Sequence, residues 1–242
     1  MSKEKGVKRA MTNKLQKKFY IWNILLLICA IICLVCYDFH GGLWLKGLTS
    51  TWFVILGFSN LIYARKMNLK MSRFLVLIEL GLCFGMCADV LLGVQFIFGI
   101  LFFALGHVFY LIAFYSLDKF HKKDVYIILP IAVVSLFVVT GSPYIQIEDP
   151  FIKKLLLGYA VIIACMLGKA ISNLSLDKSI SRKLILLGSA MFWFSDLMLA
   201  IDMFGKASRL TWVLCSYTYW PAQNILAFSL FHYVNEHIKE NS

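Results

Sequence analysis

Two stretches of this chain decide its fold: residues 80–92 read LGLCFGMCADVLL, and residues 187–199 read LGSAMFWFSDLML. In each, a Gly precedes an Asp by eight residues, as Gly81 precedes Asp89 and Gly188 precedes Asp196. Each stretch lies inside a longer apolar run. A carboxylate in hydrocarbon costs about 2.5–3.5 kcal/mol on scales derived from membrane insertion. Two carboxylates in the same sequence setting therefore indicate a functional site inside a membrane.

The composition is that of a membrane protein. Of the 242 residues, 60% are hydrophobic and 15% are charged, and the mean hydropathy is +0.77. A helix crosses a bilayer with about 20 consecutive apolar residues. Runs of this kind are continuously apolar rather than alternating, so they predict helices and not barrel strands. We expect an all-α integral membrane protein with one transmembrane domain, residues 1–242. Its eight predicted spans are residues 19–37, 48–64, 74–94, 96–117, 125–140, 155–171, 184–203 and 210–233.

The basic residues predict the orientation of these spans. The formal net charge is +11, from 24 Lys and Arg against 13 Asp and Glu. With the N-terminus in the cytoplasm, 19 of the 24 fall on the inner side, including those of a basic leader at residues 1–18. This is the positive-inside bias, so we expect both termini in the cytoplasm and the leader against anionic headgroups. The charge is thus explained without nucleic acid. Five cations stay outside: Lys46, Lys153, Lys154, Lys206 and Arg209.

The two halves of the chain resemble each other. A cut near Asp124 gives two sets of four spans, and the Gly–Asp pairs align the third span with the seventh. The next spans then align YLIAF at 110–114 with NILAF at 224–228. Since each half has an even number of spans, any repeat is parallel rather than inverted. The shared pattern consists of one Gly–Asp spacing and one five-residue match, which is compatible with a 4+4 repeat and also with a chance similarity.

The two acids are predicted to lie at similar depth. At a rise of 1.5 Å per residue, Asp89, about five residues before the outer end of its span, lies ~7 Å deep, and Asp196, about seven residues before, lies ~10 Å deep. Polar side chains on nearby spans are further candidates for the site. Each also has a plain structural explanation as helix–helix contact or interfacial anchor. These candidates are Lys46, His107, Tyr110, Tyr219 and Gln223.

A pair of buried acids predicts acid-assisted cleavage of a C–O bond. Two such groups can hold one proton between them, so that one donates it while the other stabilises a cation or activates water. This chemistry cleaves an acetal-like or enol-ether bond through an oxocarbenium-like state. The sequence has no Gly-x-Ser-x-Gly and no His-Glu-x-x-His, which argues against serine hydrolases and zinc proteases. Cys83 and Cys87 lie one turn apart without further ligands at a metal-binding spacing, so neither a metal nor a cofactor is expected.

The motifs around the two acids resemble the YhhN-type lysoplasmalogenase family. They are ADVLL at 88–92 with GHVFY at 106–110, and FSDLMLA at 194–200 with YWPAQ at 219–223. In addition, KGLT at 46–49 is similar to the family's Lys-Pro-Leu-Thr. The likeness covers spans two to four, seven and eight. Members of the family are eight-span membrane enzymes that hydrolyse the vinyl-ether bond of lysoplasmalogens, which yields a fatty aldehyde and a glycerophospho-alcohol.

The resemblance implies roles for particular residues. Asp89 and Asp196 would be the catalytic acids. The family commonly has Asn at the position of Asp202, so Asp202 would add a third acid near the outer mouth of the site and leave the headgroup preference open. The fatty chain is expected among Phe and Leu of spans three, four, seven and eight. The side chains implied to line the substrate pocket are Lys46, His107, Tyr110, Tyr219 and Gln223.

The expected protein is therefore a hydrolase of the cell membrane. Its partners would be a lysophospholipid substrate and membrane lipids, with no nucleic acid. Two other classes use the same acid pair and stay open at this point: a proton-coupled transporter and a lipid-binding or sensor protein.

Overall fold

Eight α-helices make up the part of the chain that the computed structural model describes, which is residues 2–143 and 145–240. Side chains are described from residue 11 to 143 and from 145 to 238. Four basic side chains of the predicted leader lie outside this range: Lys3, Lys5, Lys8 and Arg9. Within the described residues there is no strand, and one isolated β-bridge pairs Ile145 with Gly205. The all-helical fold expected from the apolar runs is confirmed.

The helices follow the predicted spans closely. Their ends lie within five residues of the prediction except at the start of α1, which runs on through the leader, and at the end of α8. The bounds are α1 Ser2–His40, α2 Leu43–Lys66, α3 Arg73–Leu92, α4 Phe96–Leu117, α5 Lys122–Gly141, α6 Pro150–Leu176, α7 Ile180–Phe204 and α8 Arg209–Glu240.

Seven of the described helices, α1 to α7, are long and apolar enough to cross a membrane. This is the character of a multi-pass membrane protein. The eighth helix has 32 residues, but its sequence carries many polar side chains, among them Ser216, Gln223 and Asn224, which are buried against its neighbours. That α8 also crosses the membrane therefore stays a prediction, as do the cytoplasmic termini and the parallel repeat.

Glycines allow close contact between the helices that carry the acids and their partners. Helix α3 packs mainly on α4, and α7 packs mainly on α8. A methyl group added at Gly81 would lie 2.3 Å from the Tyr110 ring, and one added at Gly188 would lie 2.9 Å from Leu226. Both distances are shorter than van der Waals contact. The Gly of each Gly–Asp pair thus seats its helix against the next one along the chain.

A buried ion pair joins α5 and α6 at the end of the bundle opposite the acids. The Lys169 Nζ lies 3.0 Å from Asp124 Oδ2 and donates to the Lys119 carbonyl at 2.7 Å. The Ser172 hydroxyl donates to Asp124 Oδ1 at 2.5 Å, and both charged side chains are fully buried. Because each charge has a partner and further hydrogen bonds, this cluster holds the α4–α5 loop on α6.

Candidate active site

A small polar chamber lies where α1, α3 and α7 end and where α2 and α8 begin. Its volume is about 80 Å³. A water molecule needs about 10–15 Å³ of such space, so the chamber has room for several water molecules. Five of the residues predicted for the site line it: Lys46, Asp89, Asp196, Asp202 and Tyr219. The structure therefore brings the two acids of the opening stretches together at one cavity.

Asp89 receives hydrogen bonds from two helices. The Ser50 hydroxyl on α2 donates to Asp89 Oδ2 at 2.5 Å, and the Tyr219 hydroxyl on α8 donates to the same oxygen at 2.7 Å. The Trp220 indole N–H donates in turn to Ser50 Oγ at 3.0 Å. The charge of Lys46 also attracts the Asp89 carboxylate. Asp89 itself is 2% exposed, so donors and one cation take the place of water around it.

Tyr110 and Gln223 extend this network behind Tyr219. The Tyr110 hydroxyl donates to Gln223 Oε1 at 2.6 Å, and Gln223 Nε2 donates to the Tyr219 oxygen at 3.5 Å. Both side chains are buried, and neither is among the residues that line the chamber. They support the wall that carries Tyr219, and direct contact with a substrate stays a prediction for them.

Asp196 on α7 has a different environment. The Tyr159 hydroxyl donates to Asp196 Oδ2 at 2.5 Å, and the His107 Nε2 atom lies 3.8 Å from the same oxygen. The Asp196 side chain is 11% exposed, toward the cavities that it lines. The two carboxyl groups, Asp89 and Asp196, also interact electrostatically. Both carboxyl groups line the same small chamber.

The backbone determines the tautomer of His107. The Nδ1 atom lies 2.7 Å from the Phe103 carbonyl oxygen. Because a carbonyl only accepts, Nδ1 carries the hydrogen, and in the neutral ring Nε2 carries a lone pair. The ring is fully buried and packs edge-on against Phe192 at 4.4 Å between centroids. Among the described residues, Nε2 has no hydrogen-bond partner. His107 thus presents an acceptor to Asp196 from behind the chamber wall.

A second, apolar cavity meets the chamber at Asp196. Its volume is about 70 Å³. Most of its walls come from α4, α5, α6 and α7, and four residues line both cavities: Leu92, Phe103, Asp196 and Leu199. The expected apolar site lay among spans three, four, seven and eight. The helices that line the observed cavity differ from this expected set, because α5 and α6 close over α4 and α7. Helix α8 supplies polar residues to the chamber instead.

A wider vestibule meets the chamber on its other side. It has a volume of about 540 Å³ and shares Tyr37, Asp202 and Trp212 with the chamber. One Asp202 oxygen accepts a hydrogen bond from the Thr211 hydroxyl at 2.6 Å. The Arg209 guanidinium pairs with a carboxylate of α1 and lies 4.7 Å from the Trp212 ring. The vestibule, the chamber and the apolar cavity thus adjoin one another through shared wall residues, and their walls change from charged to apolar.

Sequence reasoning missed Ser50 and Tyr159, which donate the two shortest bonds to the acids. A signal existed for Ser50, because it follows Lys46 by four residues and so lies on the same helix face. No local signal existed for Tyr159, which is separated from Asp196 by 37 residues. Tyr is an ordinary residue in membrane helices. Only the packing of α6 on α7 identifies it.

Other ionisable groups lie apart from this site. Glu79 is buried on α3 beside Gly57, and in the described part of the chain it is not among the residues that line the chamber. Among the described side chains, no three of the types His, Cys, Asp and Glu form a group that could hold a metal ion.

Comparison with known proteins identifies the family. No curated protein and no solved structure matches the chain. The YhhN family matches residues 45–230, a range that contains α3 to α7, most of α2 and α8, and all eight residues predicted for the site. The match covers well over half of the sequence. The chain belongs to the YhhN family.

Proposed function

We propose that this protein is a hydrolase of the cell membrane that cleaves the vinyl-ether bond of lysoplasmalogens. The products would be a fatty aldehyde and a glycerophospho-alcohol. The observation that carries the proposal is that Asp89 and Asp196, from two different helices, line one small chamber. Family membership supports it, although a fold alone does not assign a reaction. The partners would be a lysophospholipid and the surrounding lipids, with no nucleic acid.

The chemistry follows from the bond to be broken. In a vinyl ether, R–CH=CH–O–R′, transfer of a proton to the carbon next to R uses the double-bond electrons and leaves an oxocarbenium ion. A carboxylate beside that cation stabilises it, and a water molecule adds to the positive carbon. The resulting hemiacetal loses HO–R′ as a proton moves from its hydroxyl to the leaving oxygen by way of the carboxyl groups. The sum is R–CH=CH–O–R′ plus water giving R–CH₂–CHO plus HO–R′.

The three cavities suit the three parts of such a lipid. The first carbons of the fatty chain would enter the apolar cavity, and the vinyl ether would lie in the chamber between the acids. The glycerophospho group would point to the vestibule, and Lys46, which lines the chamber, is a cation suited to phosphate. An amphiphile with a single chain fits this arrangement, since it presents one apolar end and one charged end.

The alternative classes expect other features. A transporter with a parallel repeat would have broken helices at matching places of both halves. In the described helices the internal prolines are Pro130 in α5 and Pro221 in α8. Both helices belong to the second half of the chain, so no described helix of the first half has a matching proline, and both continue through the proline. A sensor protein would need a pocket, but it would not need two acids at one cavity.

The test is an assay of purified protein in lipid nanodiscs with three lysophospholipids that differ only at the first glycerol carbon. One carries a 1-alkenyl chain, one a saturated 1-alkyl chain and one a 1-acyl chain. We expect fatty aldehyde from the alkenyl lipid, and no cleavage of the other two. Fatty acid from the acyl lipid would indicate an esterase instead. No aldehyde, together with substrate-dependent proton movement in proteoliposomes, would favour the transporter.

A further inference from the structure

We propose a division of labour between the two acids: Asp196 donates the proton to the vinyl-ether carbon, and Asp89 is anionic during this step and stabilises the oxocarbenium ion. This rests on the proposed function and deepens it. The sequence treats the two acids alike, because both follow a Gly by eight residues in apolar helices. The distinction comes from what surrounds each carboxyl group.

Two hydrogen-bond series converge on Asp89, and every bond in them points toward it. In one, Trp220 donates to Ser50, and Ser50 donates to Asp89. The Ser50 hydroxyl has a second acceptor, the Lys46 carbonyl oxygen, but this lies 3.1 Å away, whereas the Asp89 oxygen lies 2.5 Å away. In the other, Tyr219 donates to the same Asp89 oxygen. A carboxylate accepts only, whereas a neutral acid must also donate. Two donors on one oxygen and the nearby Lys46 charge therefore favour the anion.

The second series is longer and has the same direction. Tyr110 donates to Gln223, which donates to Tyr219, which donates to Asp89. Each donor whose own oxygen accepts a hydrogen bond becomes a stronger donor, because the bonds polarise one another. The buried Tyr110 and Gln223 thus act on Asp89 without touching it. Their combined effect is to fix negative charge at one wall of the chamber.

Asp196 has an acceptor beside it. The Tyr159 hydroxyl donates to its Oδ2; the Ser195 hydroxyl also lies near Asp196, but it donates to the Phe192 carbonyl at 2.7 Å. The His107 Nε2 lone pair lies 3.8 Å from the same atom, and it has no hydrogen-bond partner among the described residues. At 3.8 Å this is a close approach and not a hydrogen bond. An ionised Asp196 would still hold its negative charge against that lone pair, whereas a protonated Asp196 can turn its O–H toward it. The negative charge on Asp89 adds to this, since two neighbouring carboxylates resist being ionised together. Asp196 is therefore the acid that keeps its proton.

The position of Asp196 also matches the carbon that must receive the proton. In a vinyl ether this is the carbon attached to the fatty chain, and the positive charge develops on the carbon attached to oxygen. Asp196 lines both the apolar cavity and the chamber, whereas Asp89 lines the chamber alone. A chain in the apolar cavity brings its first carbons to Asp196, and the ether oxygen then lies toward Asp89.

The cycle closes with both acids restored. The Asp196 proton moves to the chain-side carbon, which leaves Asp196 ionised and the cation beside Asp89. Water adds to the cation and gives one proton to Asp89, which passes it to the leaving glycerol oxygen as the C–O bond breaks. The remaining hydroxyl proton of the hemiacetal returns to Asp196 as the aldehyde forms. No proton is gained or lost beyond the water consumed.

The test is binding of a stable cationic analogue in which the vinyl ether is replaced by a secondary ammonium group, –CH₂–CH₂–NH₂⁺–. Asp89→Asn removes a negative charge beside this cation, so we expect at least about tenfold weaker binding. Asp196→Asn replaces one neutral group by another, so binding should stay within about threefold. The saturated ether analogue, which has the same headgroup but no charge at the linkage, is the matched control and should bind the wild type and both folded variants alike. Equal losses of affinity for the cationic analogue in both variants, or a larger loss in Asp196→Asn than in Asp89→Asn, would overturn the assignment.

A second measurement serves if either Asn variant does not fold. Infrared spectroscopy of the wild type at neutral pH should detect a protonated carboxyl band that shifts in Asp196→Glu and not in Asp89→Glu. The opposite pattern would exchange the two roles. These results are separable from the proposed function. If the wild type releases no aldehyde, the reaction itself is wrong, whereas aldehyde release with the opposite binding or infrared pattern refutes only the division of labour.

Discussion

Replacement of Tyr219 by Phe removes the hydroxyl that donates to Asp89 and accepts a longer hydrogen bond from Gln223. The Tyr219 hydroxyl donates to Asp89 Oδ2 at 2.7 Å, while its ring packs edge-on against Phe192 and Phe103, with centroids 5.3 Å and 5.7 Å away. A Phe keeps these ring contacts and loses only the hydroxyl. Asp89 would retain the bond from Ser50, so the carboxylate stays in place with one donor fewer.

The size of the effect follows from the charge on the acceptor. A hydrogen bond to a charged group contributes about 1.5–3 kcal/mol. If the bond serves to hold the anion against the cationic transition state, kcat/KM falls by about 10- to 150-fold, at about 1.4 kcal/mol per factor of ten. Tyr110→Phe removes a bond between two neutral groups, worth about 0.5–1.5 kcal/mol, and acts on Asp89 indirectly. Its loss should be smaller, about 2- to 12-fold at most.

The assay is the initial rate of aldehyde release from a 1-alkenyl lysophospholipid, coupled to an aldehyde dehydrogenase. Tyr63→Phe is the matched control. Its buried hydroxyl donates to Asn235 at 2.6 Å near the opposite end of the bundle, so its kcat/KM should stay within about twofold of the wild type, the range of ordinary assay scatter. An unchanged kcat/KM in Tyr219→Phe would refute the reasoning, and so would a larger loss in Tyr110→Phe than in Tyr219→Phe.

Three further predictions concern packing, stability and topology. Gly81→Ala sets a methyl group into the Tyr110 ring, so thermal unfolding in detergent should show a free energy of unfolding lower by about 1–3 kcal/mol. Gly158→Ala, with open space around it, should be neutral, and equal stability of the two variants would contradict the close contact. Lys169→Met leaves the buried Asp124 without its cation and should lower the free energy of unfolding by about 3–5 kcal/mol. Adding Asp124→Asn should restore much of this loss, whereas a double variant whose loss is the sum of the two single losses would argue against a coupled pair. A C-terminal fluorescent-protein fusion should fluoresce and a C-terminal alkaline phosphatase fusion should be inactive, as the positive-inside bias expects; the reverse result inverts the topology.

The helices were predictable because hydrophobicity determines them directly. Continuous apolar runs bounded by charged loops identify α2 to α7 to within five residues at each end. The start of α1 was not predictable in this way, because the sequence of its leader is rich in basic and polar residues and yet continues the same helix. The eighth helix is the reverse case. Its polar side chains face the protein interior rather than lipid, so composition alone understates how deeply it is buried.

The acids of the site were predictable because charge in an apolar run is costly and needs a reason. Asp89 and Asp196 stand out for this reason, and the structure brings them to one chamber. Their partners were harder to find. Ser50 and Tyr159 are ordinary residues of membrane helices, and their role depends on which helices pack together. The difference between the two acids depends on the direction of several hydrogen bonds, which no spacing in the sequence encodes.

The most direct test of the paired-acid mechanism is the rate of aldehyde release by the wild type, by Asp89→Asn, by Asp196→Asn and by the double variant, measured on one alkenyl lysophospholipid. Residues that act as one unit have strongly non-additive effects. We predict that each single change lowers kcat by about a thousandfold or more, as loss of a central catalytic group does, and that the double variant is no slower than the slower single variant. Full activity in either single variant, or losses that multiply in the double variant, would contradict the mechanism.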